Sequence, residues 1–324
     1  MGPVDLSKLR PAPPGFEFVQ GVRGVILCPV GYGEPLEKAG FQVDARHAGE
    51  TLPDAAESGK EPLAKLSLQV QRPEGSSEPE TIDCLVRRFS HGGLARALTG
   101  RRFKDPARPF EELRLSLALR AASIPTPRVI AARAVRSSVS GFELALVTER
   151  LPSKVDLGRL IGHVRRGQAP RNHLRRALVQ TARLIAALHA IGFRHSDLQP
   201  ANLLVPANGG GSAKRGLESS GASVLDLDRS EFVSGAASPA PLPEAARLEN
   251  LGRLWRHVRR REEKYGAVFT PKDLALFLRA YGFPKDQVQT VAAGIERAAS
   301  KGSALHRAGW MFDALLGRGE DARA

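Results

Sequence analysis

The chain has 324 residues, with 48 Lys and Arg against 34 Asp and Glu, a formal charge of 48 − 34 = +14. Cys28 and Cys84 are too few for a disulfide framework and point to a reducing, cytoplasmic setting; no apolar run approaches the roughly 18 residues of a membrane span, and "MGPVDLSKLRPAPPG" lacks a signal pattern. The charge favours an anionic partner (nucleic acid, phosphorylated metabolite or acidic lipid), but aromatics are only 6% and no recognition motif is present, so nucleic acid is not expected.

In chain order, "FEFVQGVRGVILCPV" reads as a strand pair turning near Gly21 to Gly24, and "LAKLSLQVQ" (63–71) alternates like a strand. The stretch between them, "HAGETLPDAAESGKEP", reads as loop, and "GYG" (31–33) as a lone fragment. A further strand is expected at "TIDCLVRRF" (81–89), and a helix at "RPFEELRLSLALRAA" (108–122), stopped by "SIPTP". "RVIAARAV" and "FELALVTERL" (142–151) add two strands. The second half is helical. "NHLRRALVQTARLIAALHAIG" puts Leu174, Leu178, Ile185 and Leu188 on one face and ends at Gly192. Short strands follow at "NLLV" and "SVLDLD", around a Gly/Ser-rich insertion at 207–223. A long basic helix, "LPEAARLENLGRLWRHVRRREEKYG", and two amphipathic helices, "TPKDLALFLRAYG" and "PKDQVQTVAAGIERAAS", complete the pattern.

These elements divide the chain into an extension with first strands (1–48), a β-rich lobe (49–150), a helical lobe (151–316) and a polar tail (317–324). Chemistry concentrates in "FRHSDLQPANLLV" (193–205). Pro200 suits neither a strand nor a helix interior, so His195, Asp197 and Asn202 sit on a loop between a helix and a strand. Asp226 lies 24 residues after Asn202, in "VLDLDRSEF", again preceded by apolar β-type residues. Two short strands can therefore present Asp197, Asn202 and Asp226 together. Hard oxygens of one carboxylate and one amide are enough for Mg²⁺ that keeps waters and phosphate oxygens, and the other carboxylate is left to orient an attacking hydroxyl.

"HSDLQPAN" followed by "LDLD" resembles the catalytic loop and metal motif of the protein-kinase-like fold. The resemblance implies an α+β bilobal architecture: an antiparallel β-rich N-lobe with one inserted helix, and a mainly helical C-lobe. It makes Asp197 the catalytic base, Asn202 and Asp226 the Mg²⁺ ligands, and His195 the brace of the loop. It further implies a basic strand residue for the ATP phosphates, Arg87 or Arg88, held by a helix carboxylate, Glu112 or Glu111. Only one of the two arginines can face the nucleotide, because side chains alternate along a strand. Protein kinases have Lys here; Arg binds phosphate bidentately and stays charged. By position, Gly59 and Lys60 in "DAAESGKEP" would cover the phosphates, and the backbone around Glu149 would meet adenine.

"LVRRFSHGGL", "RPFEELRLSLALRAASIPTPRVIAARAV" and "LDLDRS" together resemble the bacterial lipopolysaccharide kinase family, particularly kinases of the inner-core sugar 3-deoxy-D-manno-octulosonic acid (Kdo), over about residues 81 to 260. That implies phosphorylation of a sugar hydroxyl (Kdo or heptose) on lipid A-linked core, with ATP and Mg²⁺, by a protein peripheral on the inner face of the cytoplasmic membrane. The short stretch between Asp226 and the helix at 244 leaves no room for a peptide platform, which favours a glycan or small acceptor. Arg253, Arg256, Arg260 and Arg261 form a basic helix face for anionic headgroups, or a solvated face with no such role. An aminoglycoside- or choline-kinase-like phosphotransferase and a catalytically silent pseudokinase scaffold are the alternatives.

Overall fold

The computed structural model describes residues 4–45, 50–51, 63–70, 79–90, 102–138, 140–207, 221–235 and 240–301. Its first half is built on seven strands: β1 (Phe16–Gln20), β2 (Gly24–Pro29), β3 (Glu50–Thr51), β4 (Ala64–Val70), β5 (Glu80–Arg88), β6 (Val129–Arg136) and β7 (Phe142–Glu149). They form one antiparallel sheet in the order β1-β2-β6-β7-β5-β4-β3. In β4, "AKLSLQV" buries every second residue and exposes Lys65, Ser67 and Gln69. Strand β6 is central and buried on both faces, which its run of small residues permits.

Two helices cover the sheet. Helix α1 (Gly33–Lys38) and the turn after it place Leu36 and Phe41 against Ile26, Cys28, Leu66, Val86 and Val147. Helix α2 (Arg108–Ala121) places Phe110 and Leu113 against Val25, Leu27, Ala132 and Leu146 on the other face. Fully burying each such phenylalanine contributes about 2–3 kcal/mol. Arg133 is 2% exposed within the first core. Its guanidinium lies 4.1 Å from the Phe41 ring centroid and donates to the Gln42 carbonyl at 2.6 Å. Burial pulls its pKa down to about 10, so it stays charged at neutral pH.

The second half contains β8 (Lys154–Asp156), α3 (Leu157–Arg165), α4 (Arg171–Ala190), β9 (Phe193–Arg194), β10 (Leu203–Pro206), β11 (Ser223–Val224), β12 (Glu231–Phe232), α5 (Glu244–Tyr265), α6 (Pro271–Tyr281) and α7 (Val288–Lys301). The four leucine and isoleucine positions expected on one face of α4 are all buried. The helix stops where Gly192 takes φ +73°; a Cβ there would lie 2.2 Å from the Ala240 carbonyl oxygen, so only glycine fits. Helix α6 opens on a capping box between Thr270 and Asp273. Among the described residues, two compact units emerge: residues 4–117 with 127–150, and residues 118–126 with 151–301. The chain is thus α+β, with an antiparallel β-rich unit carrying a long inserted helix and a mainly helical unit.

Several elements depart from the sequence reading. The fragment at 31–33 opens α1, where Pro35 is tolerated because first-turn amides need no intrahelical partner. Within the segment read as loop, Glu50–Thr51 pairs with Ala64 and Lys65, two residues being too few to show alternation. "SVLDLD" keeps strand geometry only at Ser223–Val224, because the chain turns away at Asp226 with φ +56°. Strand β8 and helix α3 were not foreseen; the Asp156 side chain caps α3 by accepting from the Arg159 amide at 2.8 Å.

Candidate active site

The loop after α4 is pinned at its base by β9 and β12, which pair Arg194 with Glu231 and Phe193 with Phe232. Beyond it, Pro200–Asn202 form a 3-10 turn with proline at its first position, where a missing N–H costs nothing. Strand β10 follows at once and pairs with β11, Leu203 opposite Val224. The ladder is extended by the Leu225 amide, which donates to the Asn202 carbonyl at 2.9 Å. That bond brings Asn202 beside the residue preceding Asp226, across the 24 residues that separate the two motifs.

His195 is 1% exposed and bridges both motifs. Its Nε2 meets the Leu225 carbonyl at 2.8 Å, and its Nδ1 accepts the Asp197 amide at 3.1 Å. Burial lowers its pKa, outweighing the opposing pull of the Leu225 carbonyl, Asp226 and Asp197. A neutral Nε2–H tautomer satisfies both contacts. His195 therefore braces the loop against the second motif. Ser196 ties the loop to the second motif as well: its hydroxyl donates to the Asp228 carbonyl at 2.6 Å, and its amide donates to the Ser230 hydroxyl at 3.1 Å.

The Asp197 carboxylate is held by neutral donors. Gln199 Nε2 donates to Oδ2 at 2.5 Å, and Asn202 Nδ2 donates to the Asp197 carbonyl at 2.8 Å and lies 3.3 Å from Oδ2. With its NH₂ so committed, Asn202 presents its amide oxygen as the free kind of ligand atom, which is what a hard cation takes. Asp226 supplies a carboxylate from a left-handed backbone, a conformation that costs an L-residue of order 1 kcal/mol and clusters at functional sites. Among the described residues no group of three or more His, Cys, Asp and Glu could hold a metal. A divalent ion bound by Asn202 and Asp226 would complete its shell with water and phosphate oxygens. The donor set fits Mg²⁺ on those terms.

Helix α5 reads the loop residue by residue. Asn250 Nδ2 donates to the His195 carbonyl at 2.7 Å, Arg253 donates to the Ser196 carbonyl, and His257 Nε2 lies 3.9 Å from Asp197 Oδ1. Steps of three and four residues keep these side chains on one helical face. Asn250 is itself fixed from behind: its Oδ1 accepts from His189 Nε2 at 3.0 Å, and His189 Nδ1 meets the Tyr281 hydroxyl at 2.7 Å. Burial pulls the His189 pKa down to about 4, so this buried relay is neutral. Asp197 and Asp226 line one polar cavity of about 450 Å³, with Arg194, Asp228, Arg229, Glu249 and Arg253 in its wall.

Sequence reasoning did not find Asn250 or His257, and it left the arginines of α5 between a headgroup-facing surface and a solvated face. Three of the four also reach backbone carbonyls. Arg253 holds Ser196, Arg256 donates to the Ala299 carbonyl at 2.9 Å, and Arg261 reaches the Gly158 carbonyl at 3.3 Å. The spacing 250, 253, 257 keeps these residues on one helical face, but a polar face at helical period reads first as a solvated one.

In the β-rich unit the pleat decides which arginine meets the helix carboxylate. Ile82, Cys84 and Val86 face the α1 side of the sheet, so Arg87 faces α2. Its Nη2 lies 2.6 Å and 2.5 Å from the two carboxylate oxygens of Glu112, which is 4% exposed, and its guanidinium stacks 4.6 Å from the Phe89 ring centroid. Glu111 instead meets Arg10 at 3.5 Å and Arg114 at 3.7 Å. Arg88 bears electrostatically on Arg133, on the other face. Glu149 ends β7 and pairs with Arg128 at 3.2 Å, one residue before the last position of its unit. Gly59 and Lys60 lie outside the described residues.

Residues 76–281, well over half of the chain and a span containing Arg87, Glu112, Glu149, His195, Asp197, Asn202 and Asp226, match the family model described as "Lipopolysaccharide kinase (Kdo/WaaP) family". A 3-deoxy-D-manno-octulosonic acid kinase of Stenotrophomonas maltophilia (strain K279a) is 30% identical over 201 residues, which is 61% of this chain and 70% of that protein. The kinase of the same name from Actinobacillus succinogenes is 26% identical over 204 residues, covering 62% and 75%. A solved structure of WaaP in complex with acyl carrier protein covers 76% of this chain and 91% of its own, at 20% identity and a TM-score of 0.46. The chain belongs to the lipopolysaccharide kinase (Kdo/WaaP) family, and it is a kinase.

Proposed function

We propose that this kinase transfers the γ-phosphoryl group of ATP to a sugar hydroxyl of the lipopolysaccharide inner core, with Kdo on lipid A favoured over heptose. The observation that carries the mechanism is the joint placement of Asp197 and Asp226 around one cavity, with Asn202 hydrogen-bonded to Asp197. The preference for Kdo rests on the relatives named as Kdo kinases.

In this reading Asp197 accepts the hydrogen bond of the acceptor hydroxyl and takes its proton as the oxygen bonds to phosphorus, while the bond from phosphorus to the departing ADP oxygen breaks. Gln199 and Asn202 hold the carboxylate in that orientation. Asn202 and Asp226 would hold Mg²⁺, which neutralises charge building on the phosphate oxygens. Arg87, fixed by Glu112, would grip the α- and β-phosphates. Gly59 and Lys60 would cover the phosphates, and the backbone at Glu149 would meet adenine.

We place the protein on the inner face of the cytoplasmic membrane. The support is its charge of +14 and the anionic character of the acceptor; among the described residues no helix is long and apolar enough to cross a membrane. The test is incubation of the purified protein with Mg-ATP and Kdo–lipid A, followed by mass spectrometry. A phosphate-sized gain on the Kdo residue is expected. A gain only on heptose-extended core would move the acceptor, and no gain on either would remove the assignment.

A further inference from the structure

Three arginines line the cavity beside Asp197, and two are occupied by the protein itself. Arg194 pairs with Glu231 across β9 and β12, and Arg253 donates to the Ser196 carbonyl. For the Arg229 guanidinium no hydrogen bond or ion pair exists among the described residues. Its backbone is unusual too. The Ser230 amide closes a turn on the Leu227 carbonyl at 2.9 Å, and Arg229, third in that turn, has φ +57°. Glycine or asparagine takes that position more cheaply. The residue is exposed, so packing does not explain a non-glycine residue there. A strained residue that lines a cavity and has no partner among the described residues is a candidate for ligand contact.

Four carboxylates share this wall. Asp197 and Asp226 belong to the proposed phosphoryl-transfer machinery, Asp228 has a partner within the protein, and the charge of Glu249 bears on Arg256. A cavity of about 450 Å³ lies within the range of small-molecule sites. A planar guanidinium matches a carboxylate with two parallel hydrogen bonds. We propose that Arg229 is a specificity-determining residue that reads the carboxylate of an acidic acceptor sugar, an assignment that rests on the acceptor reading above.

The experiment is steady-state kinetics on three acceptors: the sugar acid linked to lipid A, its carboxamide, and the acid on a lipid stripped of phosphate. Wild-type enzyme should show a KM about 10- to 100-fold lower for the acid than for the carboxamide, the range of a charge-assisted hydrogen bond. Arg229→Gly should raise the KM for the acid to that of the carboxamide. Its kcat should stay within about threefold, its KM for ATP should be unchanged, and its thermal midpoint should not fall, because glycine relieves the turn. Arg229→Lys should recover part of the discrimination. An equal loss on acid and carboxamide, or no loss on either, overturns the assignment, as does discrimination that follows the lipid phosphates. A wild-type enzyme that phosphorylates none of the three overturns the acceptor reading itself, and the inference with it.

Discussion

The two units anchor their candidate site residues in different ways. In the β-rich unit, Arg87 on a strand meets Glu112 on a helix, side chain to side chain, with one carboxylate almost fully buried. In the helical unit the loop at 195–202 is held by side chains that grip backbone: Asn250 and Arg253 bind the carbonyls of His195 and Ser196, while His195 and Ser196 bind those of Leu225 and Asp228. A side-chain pair fixes two charges and fails when either is removed. Backbone anchoring fixes the path of the chain whatever its exposed side chains are, and so leaves Asp197 available for chemistry. The contrast separates changes that cost activity from changes that cost stability.

The largest effects should come from the helical unit without loss of fold. Asp197→Ala should lower kcat by about 10²- to 10⁴-fold, the usual contribution of a general base, while calorimetry finds Mg-ATP affinity nearly intact. Full activity in that variant would remove Asp197 from the mechanism. Asp226→Gly should abolish Mg²⁺-dependent nucleotide binding and yet unfold no earlier than wild type, because glycine accepts φ +56° without strain. Unchanged calorimetric affinity would contradict the metal assignment.

The β-rich unit should behave the other way. Arg87→Met strands the Glu112 carboxylate in a buried site and should cost about 3 kcal/mol in urea unfolding. Adding Glu112→Leu should restore most of that stability and none of the nucleotide affinity. If Arg87→Met leaves stability unchanged, the pair is not the anchor that its 2.5 Å and 2.6 Å contacts describe. Arg87→Lys is the milder probe: it keeps the charge and loses the stacking on Phe89, for about 1 kcal/mol.

How much of this was legible in the sequence follows from the same contrast. Alternation exposed β4 and β5, and helical period exposed α4, because each buries one face of a regular element. The loop announced itself through Pro200 and its polar neighbours. The choice between Arg87 and Arg88 needed only the knowledge of which sheet face α2 covers, and no sequence supplies that. The grip of α5 on the loop was hidden for a different reason: Asn250 binds a carbonyl 55 residues away, and carbonyls carry no letter in a sequence. The backbone contacts of the α5 arginines were illegible because an inward contact to a carbonyl and an outward contact to solvent or a headgroup are written with the same residue. The left-handed turns at Asp226 and Arg229 were illegible because neither position holds glycine.

The remaining effects should appear in acid, and their order tests whether the buried relay is as neutral as its geometry requires. His189 has a folded pKa of about 4 against 6.5, lowered chiefly by burial. Its contribution is therefore complete above pH 6.5 and is lost as pH falls toward 4, since the unfolded chain protonates first; the loss is about 3 kcal/mol. Asp273 titrates later. Burial would raise its pKa, but hydrogen bonds from Thr270 and Arg175 and the charge of Arg171 outweigh burial and hold it at about 2. Its contribution of about 2 kcal/mol is intact above pH 4 and fades as pH falls through 2. Thermal midpoints measured from pH 7 downward should thus fall in two arms. His189→Asn should lower the whole curve and flatten the arm between pH 6.5 and 4, and Asp273→Asn should flatten only the arm below it. If the upper arm survives in His189→Asn, the proton enters elsewhere, and the relay from Tyr281 through His189 and Asn250 to the loop does not govern acid stability.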